Sequence, residues 1–369
     1  MPAVVHCEQA SETNLSESRE IVYKIEPLKD SRWDALLQKH ADASVFHTRA
    51  WLEALLRTYG YESFAYTTSA PAEPLRDGLV FCRVENWFTG RRLVSLPFSD
   101  HCEPLLQHPA EMQTFIKSIQ EESATCNWRY IEIRPKKGSR CRTLSCLPSR
   151  TYAFYRLNLK PELNVLFCNF HKSSIQRKIK RARREGLRCE TGATESLLNT
   201  FYALLTITRR RHGVPPQPKA WFRNLIECFG SALQISVAYK EKTPVAAMLT
   251  LYYKNTLVYK YGGSDPQYNN LGSMHCLYWE AIQRAKALGL EEFDLGRTDI
   301  DQPGLMTFKR RWGAAESSLS YFRISHYEKP THLFEASNVW KARAAKRVFS
   351  LAPTWVLSRL GGLLYRHIG

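Results

Sequence analysis

Apolar and polar residues alternate from Ile21 through Tyr23 to Ile25, which predicts a strand. Ser31 opens a short helix-forming run that ends near Lys39. Trp51, Leu52, Leu55 and Leu56 share one face of a second helix, and Gly60 stops it. Short strands are expected at Ser63–Thr68, Gly78–Val84 and Arg92–Leu96. A helix from about Glu111 to Ser123 and a strand at Tyr130–Arg134 follow, with Pro135 and Gly138 ending the unit. Past residue 160 the pattern recurs. Helices are expected over 172–188, Leu197–Arg211 and Ala220–Phe229, and strands at Leu233–Tyr239, Val245–Tyr253 and Thr256–Tyr261. A helix from about Leu271 to Leu288 precedes strands at Phe293–Arg297 and Leu319–Ile324. Two units of similar order, 21–160 and 161–325, imply a duplicated α/β layered fold. A polar stretch (1–20) precedes them and a tail (326–369) follows.

Composition adds limits. A chain of 369 residues fits two domains, and 44% hydrophobic residues fit a packed core. No apolar run is long enough to span a membrane. The first residues carry Glu8, Glu12 and Glu17 and no apolar stretch, so a cytoplasmic location without a secretory signal is expected. The ten cysteines form no Cys-x-x-Cys pair; free thiols and no metal site are expected.

The net charge of +17 changes the picture by where it sits. Residues 172–188 hold eight Lys or Arg against one Glu, with Ile175, Ile179 and Ala182 as a thin apolar stripe. That helix is either a solvated face or a surface for a phosphate-rich partner such as tRNA, a nucleotide-sugar or a lipid headgroup, with Lys172, Arg177 and Arg181 as contacts. It lacks the repeated base-reading elements of a sequence-specific DNA binder. In the tail, Lys341, Arg343, Lys346, Arg347, Arg359 and Arg366 alternate with Trp340, Phe349, Trp355, Leu357, Leu360 and Tyr365. Residues 334–369 read either as an interfacial membrane anchor or as a segment packed on the body.

Hydrolase, zincin and nucleotide-loop signatures are absent. A Gly- and Asn-rich loop, Tyr261 to Met274, joins a strand to a long helix, and Asn269 and Gly272 stand where backbone N–H groups would meet an anion. Asp100 and His101 follow a strand in Leu96-Pro97-Phe98-Ser99-Asp100-His101-Cys102-Glu103 and are candidates to accept a proton. A Cys102 nucleophile is the weaker alternative, because neighbours on a strand end face apart. Arg134 and Arg297 each end a strand, where a guanidinium suits a phosphate or carboxylate; a structural ion pair of Arg297 with Asp294 or Asp299 is the other reading.

The loop before the long helix resembles the coenzyme A pyrophosphate loop of GNAT acyltransferases, with Asn269 and Met274 departing from its pattern. Phe46-His47-Thr48-Arg49-Ala50-Trp51-Leu52, Ala182-Arg183-Arg184-Glu185-Gly186-Leu187, Phe293-Asp294-Leu295-Gly296-Arg297 and Phe308-Lys309-Arg310-Arg311-Trp312-Gly313-Ala314 extend the likeness over roughly 40–325. Together they resemble the FemAB family, whose members are tandem GNAT-like domains that transfer amino acids to peptidoglycan precursors. The resemblance implies acyl or aminoacyl transfer to an amine or hydroxyl of a cell-envelope precursor, muropeptide or exopolysaccharide. It places Phe308 and Lys309 at the transfer centre, where a fixed ammonium would meet the developing oxyanion. The activated donor, aminoacyl-tRNA or acyl-CoA, would be a co-substrate, with no permanently bound cofactor. The long coiled-coil insertion some members carry toward tRNA is missing, which keeps acyl-CoA open. An acyl-CoA-dependent N-acetyltransferase of polysaccharide synthesis and a non-catalytic envelope-assembly protein are the alternatives.

Overall fold

The computed structural model describes residues 21–86, 90–138, 148–324, 349 and 353–368. The first half holds β1 (Tyr23–Ile25), α1 (Arg32–Lys39), α2 (Arg49–Tyr59), β2 (Ser63–Thr67), β3 (Leu79–Asn86), β4 (Gly90–Val94), α3 (Glu111–Cys126), β5 (Tyr130–Ile133) and β6 (Pro148–Asn158). The second holds α4 (Leu163–Asn169), α5 (Arg177–Arg184), β7 (Leu187–Gly192), α6 (Glu195–Arg211), α7 (Lys219–Phe229), β8 (Leu233–Lys240), β9 (Thr243–Tyr253), β10 (Thr256–Ser264), α8 (Ser273–Ala287), β11 (Glu292–Asp299), α9 (Pro303–Arg311) and β12 (Ala315–Ile324). A last helix, α10, spans Thr354–Ile368.

The strands form one twelve-stranded sheet in the order β1-β2-β3-β4-β5-β12-β6-β11-β10-β9-β8-β7. Each half is an antiparallel run closed by one parallel pair, β4–β5 and β10–β11. A parallel neighbour requires a long crossover, and α3 and α8 provide it. The last strand of each half is exchanged: β12 pairs with β5, β6 pairs with β11, and the two exchanged strands pair with each other. The expected boundary at 160 assigns β6 to the first half, yet in the sheet it lies between two strands of the second.

Thr48 caps α2 by accepting from the Trp51 N–H, and Gly60, at φ +72°, ends it. One core joins α1, α2, α6 and α7 to both ends of the sheet. Trp51 and Trp221 meet edge to face there, ring centroids 5.2 Å apart. The other faces are covered by α3 in the first half and α8 in the second.

One expectation needs correction. The basic run 172–188 is not one helix: a π turn over Lys172–Gln176 leads into α5, which Gly186 (φ +68°) terminates. Leu187–Gly192 then pairs with β8 as the edge strand β7. The stripe of Ile175, Ile179 and Ala182 is buried. In the tail, Leu357, Gly361 and Tyr365 fall on one face of α10 and are buried on the body. Tyr365 donates to the Pro215 carbonyl at 3.1 Å, Tyr61 donates to the Tyr365 and Arg366 carbonyls, and Arg92 donates to the His367 carbonyl. Of the two readings of the tail, these three residues follow packing on the body. Lys341, Arg343, Lys346 and Arg347 lie outside the described residues. Among the described residues no helix is long and apolar enough to cross a membrane.

Candidate active site

Strands β10 and β11 pair over three residues, Thr256–Val258 with Glu292–Asp294, and then part. Both carry a bulge where they separate. In β10 the register slips between Tyr259 and Tyr261, so Lys260 is the extra residue. In β11 it slips between Asp294 and Arg297, and Gly296 adopts φ +73°. Bulges re-aim side chains, and these two turn Lys260 and Arg297 toward one carboxylate. Asp100 lies 3.2 Å from Lys260 Nζ and 3.6 Å from Arg297 Nε.

The loop that presents Asp100 is tightly held. Leu96 and Phe98 both take the left-handed conformation (φ 60° and 61°), which costs about 1–3 kcal/mol apiece and persists only under tertiary constraint. Arg134 supplies one constraint by donating to the Leu96 carbonyl at 2.9 Å, and Tyr321 another by donating to the Asp100 carbonyl at 2.7 Å. Burial alone would raise the Asp100 carboxyl, but Lys260 and Arg297 outweigh it and hold the group below its ordinary value. Asp100 is therefore ionised at neutral pH.

Lys309 reaches the same point from α9. It is 2% exposed and donates to the Gly296 carbonyl at 2.8 Å and the Arg297 carbonyl at 3.1 Å. Burial pulls its ammonium down to about 8, against the opposing pull of Asp100 and Asp294. Lys260 is also lowered by burial, with Asp100 opposing, and its Nζ stands 5.1 Å from the Phe46 ring and 5.7 Å from the Trp51 ring.

Asp100, Lys260 and Arg297 open into a cleft of about 420 Å³ lined by seven Arg or Lys residues and two carboxylates. Its floor crosses the junction of the halves as alternating guanidinium groups and tyrosine rings. Arg297 lies 4.2 Å from the Tyr152 centroid, Arg134 5.0 Å from that of Tyr321, and Arg323 4.5 Å from that of Tyr130. Glu132 pairs with both Arg134 and Arg323. Arg92, Arg150 and Arg209 also line it, and α10 contributes Tyr365. Such a surface suits a ligand bearing several phosphate or carboxylate groups.

The other sequence candidates are distributed differently. His101 turns away from Asp100: its Nε2 is 3.2 Å from Asp294 Oδ2, and it lines a second cavity of about 560 Å³ on which Asp100 does not border. Phe308 packs among the rings of His275, Tyr278 and Trp312. Burial raises the Cys102 thiol to about 12, which leaves it unreactive. Asn269 is exposed and accepts from the Ser264 hydroxyl at 3.2 Å. Gly272 (φ +79°) faces α5 so closely that a Cβ there would lie 2.5 Å from the Lys178 carbonyl oxygen. Lys172 and Arg177 are exposed and Arg181 half-buried, on the segment that packs against this loop. Lys260, Tyr152 and Tyr321 were not anticipated. A lysine between two tyrosines in an otherwise apolar strand was the available signal for the first.

Residues 169–310 match the family model described as an acetyltransferase (GNAT) domain. Over 144 residues the chain is 27% identical to the UDP-N-acetylmuramoylpentapeptide-lysine N(6)-alanyltransferase of Weissella viridescens, covering 38% of this chain and 43% of that one. The chain thus spans less than half the length of that relative. The crystal structure of FemX superposes with a TM-score of 0.65 at 13% identity, covering 85% of this chain and 100% of FemX. Residues 169–310 thus resemble a GNAT acetyltransferase domain, and the fold as a whole resembles that of FemX. A tandem GNAT protein of the clavulanic acid pathway shares the architecture at a TM-score of 0.52 and 6% identity, over 84% of this chain and 100% of that one. The parted pair β10–β11 and the crossover helix α8 all fall within the segment that matches the GNAT model.

Proposed function

We propose that the chain is an acyltransferase that moves an activated aminoacyl or acyl group to an amine or hydroxyl of a cell-envelope precursor. The parting of β10 and β11 carries this reading, because both bulges there gather Asp100, Lys260, Arg297 and Lys309 around one point open to a basic cleft. An amine attacking an ester carbonyl needs a proton acceptor and positive charge near the carbonyl oxygen. The ionised Asp100 serves the first need, and a lysine ammonium buried at the same point serves the second. Removing one such donor commonly raises the barrier by ~2.7–4 kcal/mol. The arginine–tyrosine floor, with Arg134 and Arg297, holds the acceptor's anionic groups, as expected for a phosphorylated or lipid-linked muropeptide or polysaccharide precursor.

The helix α5 favours aminoacyl-tRNA as donor. Its Lys178 carbonyl occupies the approach to Gly272, where a coenzyme A pyrophosphate would lie in a GNAT loop, and Lys172, Arg177 and Arg181 offer contacts to RNA phosphates. The GNAT family match favours acyl-CoA as a second reading. Work on such precursors places the protein in the cytoplasm, at the inner face of the membrane.

The test offers wild-type protein UDP-N-acetylmuramoyl-pentapeptide with radiolabelled aminoacyl-tRNA or with acetyl-CoA. Label transferred from the tRNA is expected. Transfer from acetyl-CoA alone would support the second reading, and no product with either donor, on this acceptor or on polysaccharide precursors, would favour a binding protein.

A further inference from the structure

Two buried lysines flank the point where β10 and β11 part, and they are not equivalent. Lys309 is committed to the backbone: two of its three protons lie on the Gly296 and Arg297 carbonyls, and it lines neither cavity. Those carbonyls belong to the β11 bulge that turns Arg297 into the cleft. Lys260 is the reverse case. Its partner is the Asp100 carboxylate at 3.2 Å, and together with Asp100 and Arg297 it lines the cleft. As the extra residue of the β10 bulge it has no cross-strand partner to fix its direction, while the Phe46, Trp51 and Tyr261 rings within 5.7 Å hold its head at the cleft wall.

We infer that Lys260 is the catalytic residue whose ammonium meets the carbonyl oxygen during transfer, and that Lys309 is a positioning residue that sets the β11 bulge and so aims Arg297. This rests on the transfer reading above. The acceptor nitrogen forms a bond to the ester carbon as the carbonyl electron pair moves onto oxygen beside Lys260. The intermediate collapses, the bond from carbon to the donor's ester oxygen breaks, and the proton released by the nitrogen passes through Asp100 to the departing hydroxyl. No further reactant is needed. Asp100, 3.2 Å from Lys260, opposes the lowering that burial imposes on its ammonium and stands beside the same reacting centre.

The experiment has two arms on the full chain. In the first, Lys260→Met, Lys260→Arg, Lys309→Met and wild type are compared with aminoacyl-tRNA and UDP-N-acetylmuramoyl-pentapeptide. Lys260→Met should lose ~10²–10³-fold in kcat with the acceptor KM within about twofold, and Lys260→Arg, which keeps the charge on Asp100, should regain about a tenth of wild-type kcat. Lys309→Met should act chiefly by raising the acceptor KM. A Lys260→Met protein that keeps wild-type kcat, or a loss confined to kcat in Lys309→Met, overturns the assignment. The second arm needs no knowledge of the substrates. Wild type is treated with methyl acetyl phosphate, a small anionic acetyl donor whose acetyl carbon is attacked by a lysine nitrogen as methyl phosphate leaves, and the labelled lysines are mapped by mass spectrometry. Lys260 should be acetylated at least tenfold faster than Lys309, and added inorganic phosphate should slow it. Faster labelling of Lys309 overturns the inference even if the natural donor proves different. Absence of transfer in wild type together with preferential Lys260 labelling would count against the transfer reading, while upholding the geometry assigned to the two lysines.

Discussion

Gly296 is held between Asp100 and Lys309. A side chain on its α-carbon would begin 3.1 Å from the Asp100 carboxylate, and its carbonyl accepts from Lys309 at 2.8 Å. Its φ of +73° also disfavours any other residue. Gly296→Ala should therefore lower stability by ~1–2 kcal/mol and reduce transfer more than a surface Gly→Ala change does. Urea unfolding and initial rates on the same preparation would show both, and unchanged rates would mean that the Asp100–Gly296 approach is not needed for turnover.

The buried Lys309 makes a signed prediction about pH. Its folded value is about 8 against an ordinary 10.5, so between those values the unfolded chain holds the proton that the folded chain has released. Stability contributed through this group rises with pH across that window. Relative to Lys309→Met, wild type should gain on the order of 2–3 kcal/mol between pH 7 and pH 10. Paired urea titrations at the two pH values would measure this, and a gap that stays constant would rule out a depressed Lys309.

Glu132 neutralises two arginines of the cleft floor, Arg134 at 2.7 Å and Arg323 at 2.8 Å. Burial acts to raise its carboxyl, but the two guanidinium groups hold it below the ordinary 4.5, so its contribution is present at neutral pH and lost as acid protonates it. Glu132→Gln should cost about 3 kcal/mol, mostly by leaving the buried Arg134 uncompensated. The difference from wild type should shrink in thermal melts taken progressively below pH 4.5.

Helix α10 depends on Gly361, because a Cβ there would collide with the Pro216 carbonyl. Gly361→Ala should loosen the helix at a cost of ~1–3 kcal/mol and weaken acceptor binding, since Tyr365 lines the cleft. Faster tryptic cleavage after Arg366 with a raised acceptor KM would show it. Unaltered cleavage would mean that the helix tolerates the methyl group in place.

Much of this is legible in the sequence, for identifiable reasons. Helices α2, α6 and α8 present apolar residues at helical spacing, β8 alternates and β9 carries a long apolar run, so the hydrophobic pattern locates them. Lys309 came from the likeness of Phe308-Lys309 to a known family, and Arg297 from its place at a strand end. Other features have no local signature. Strand β6 lies at the centre of the sheet and reads Pro148-Ser149-Arg150-Thr151-Tyr152-Ala153-Phe154-Tyr155, without a clean alternation, because the face toward the cleft carries Arg150 and Tyr152 as well as apolar residues. Lys260 depends on a bulge, a slip in the pairing of β10 with its hairpin partner β9, which its own neighbours do not encode. Asp100 and His101 are adjacent in sequence, and their division between two cavities follows from how the loop is pinned by Arg134 and Tyr321.

The exchange of final strands bears on how the chain matures during synthesis. When Ile133 leaves the ribosome, its partner Phe322 has not yet been made, and Leu157 must likewise wait for Phe293. The early half therefore carries an unfilled sheet edge until the chain is nearly complete, and neither half expressed by itself possesses the strand that closes it. Two separately produced fragments divided near residue 160 should each be prone to aggregate, and should become soluble when made together. The basic cleft, which straddles the exchanged pair, comes into existence last.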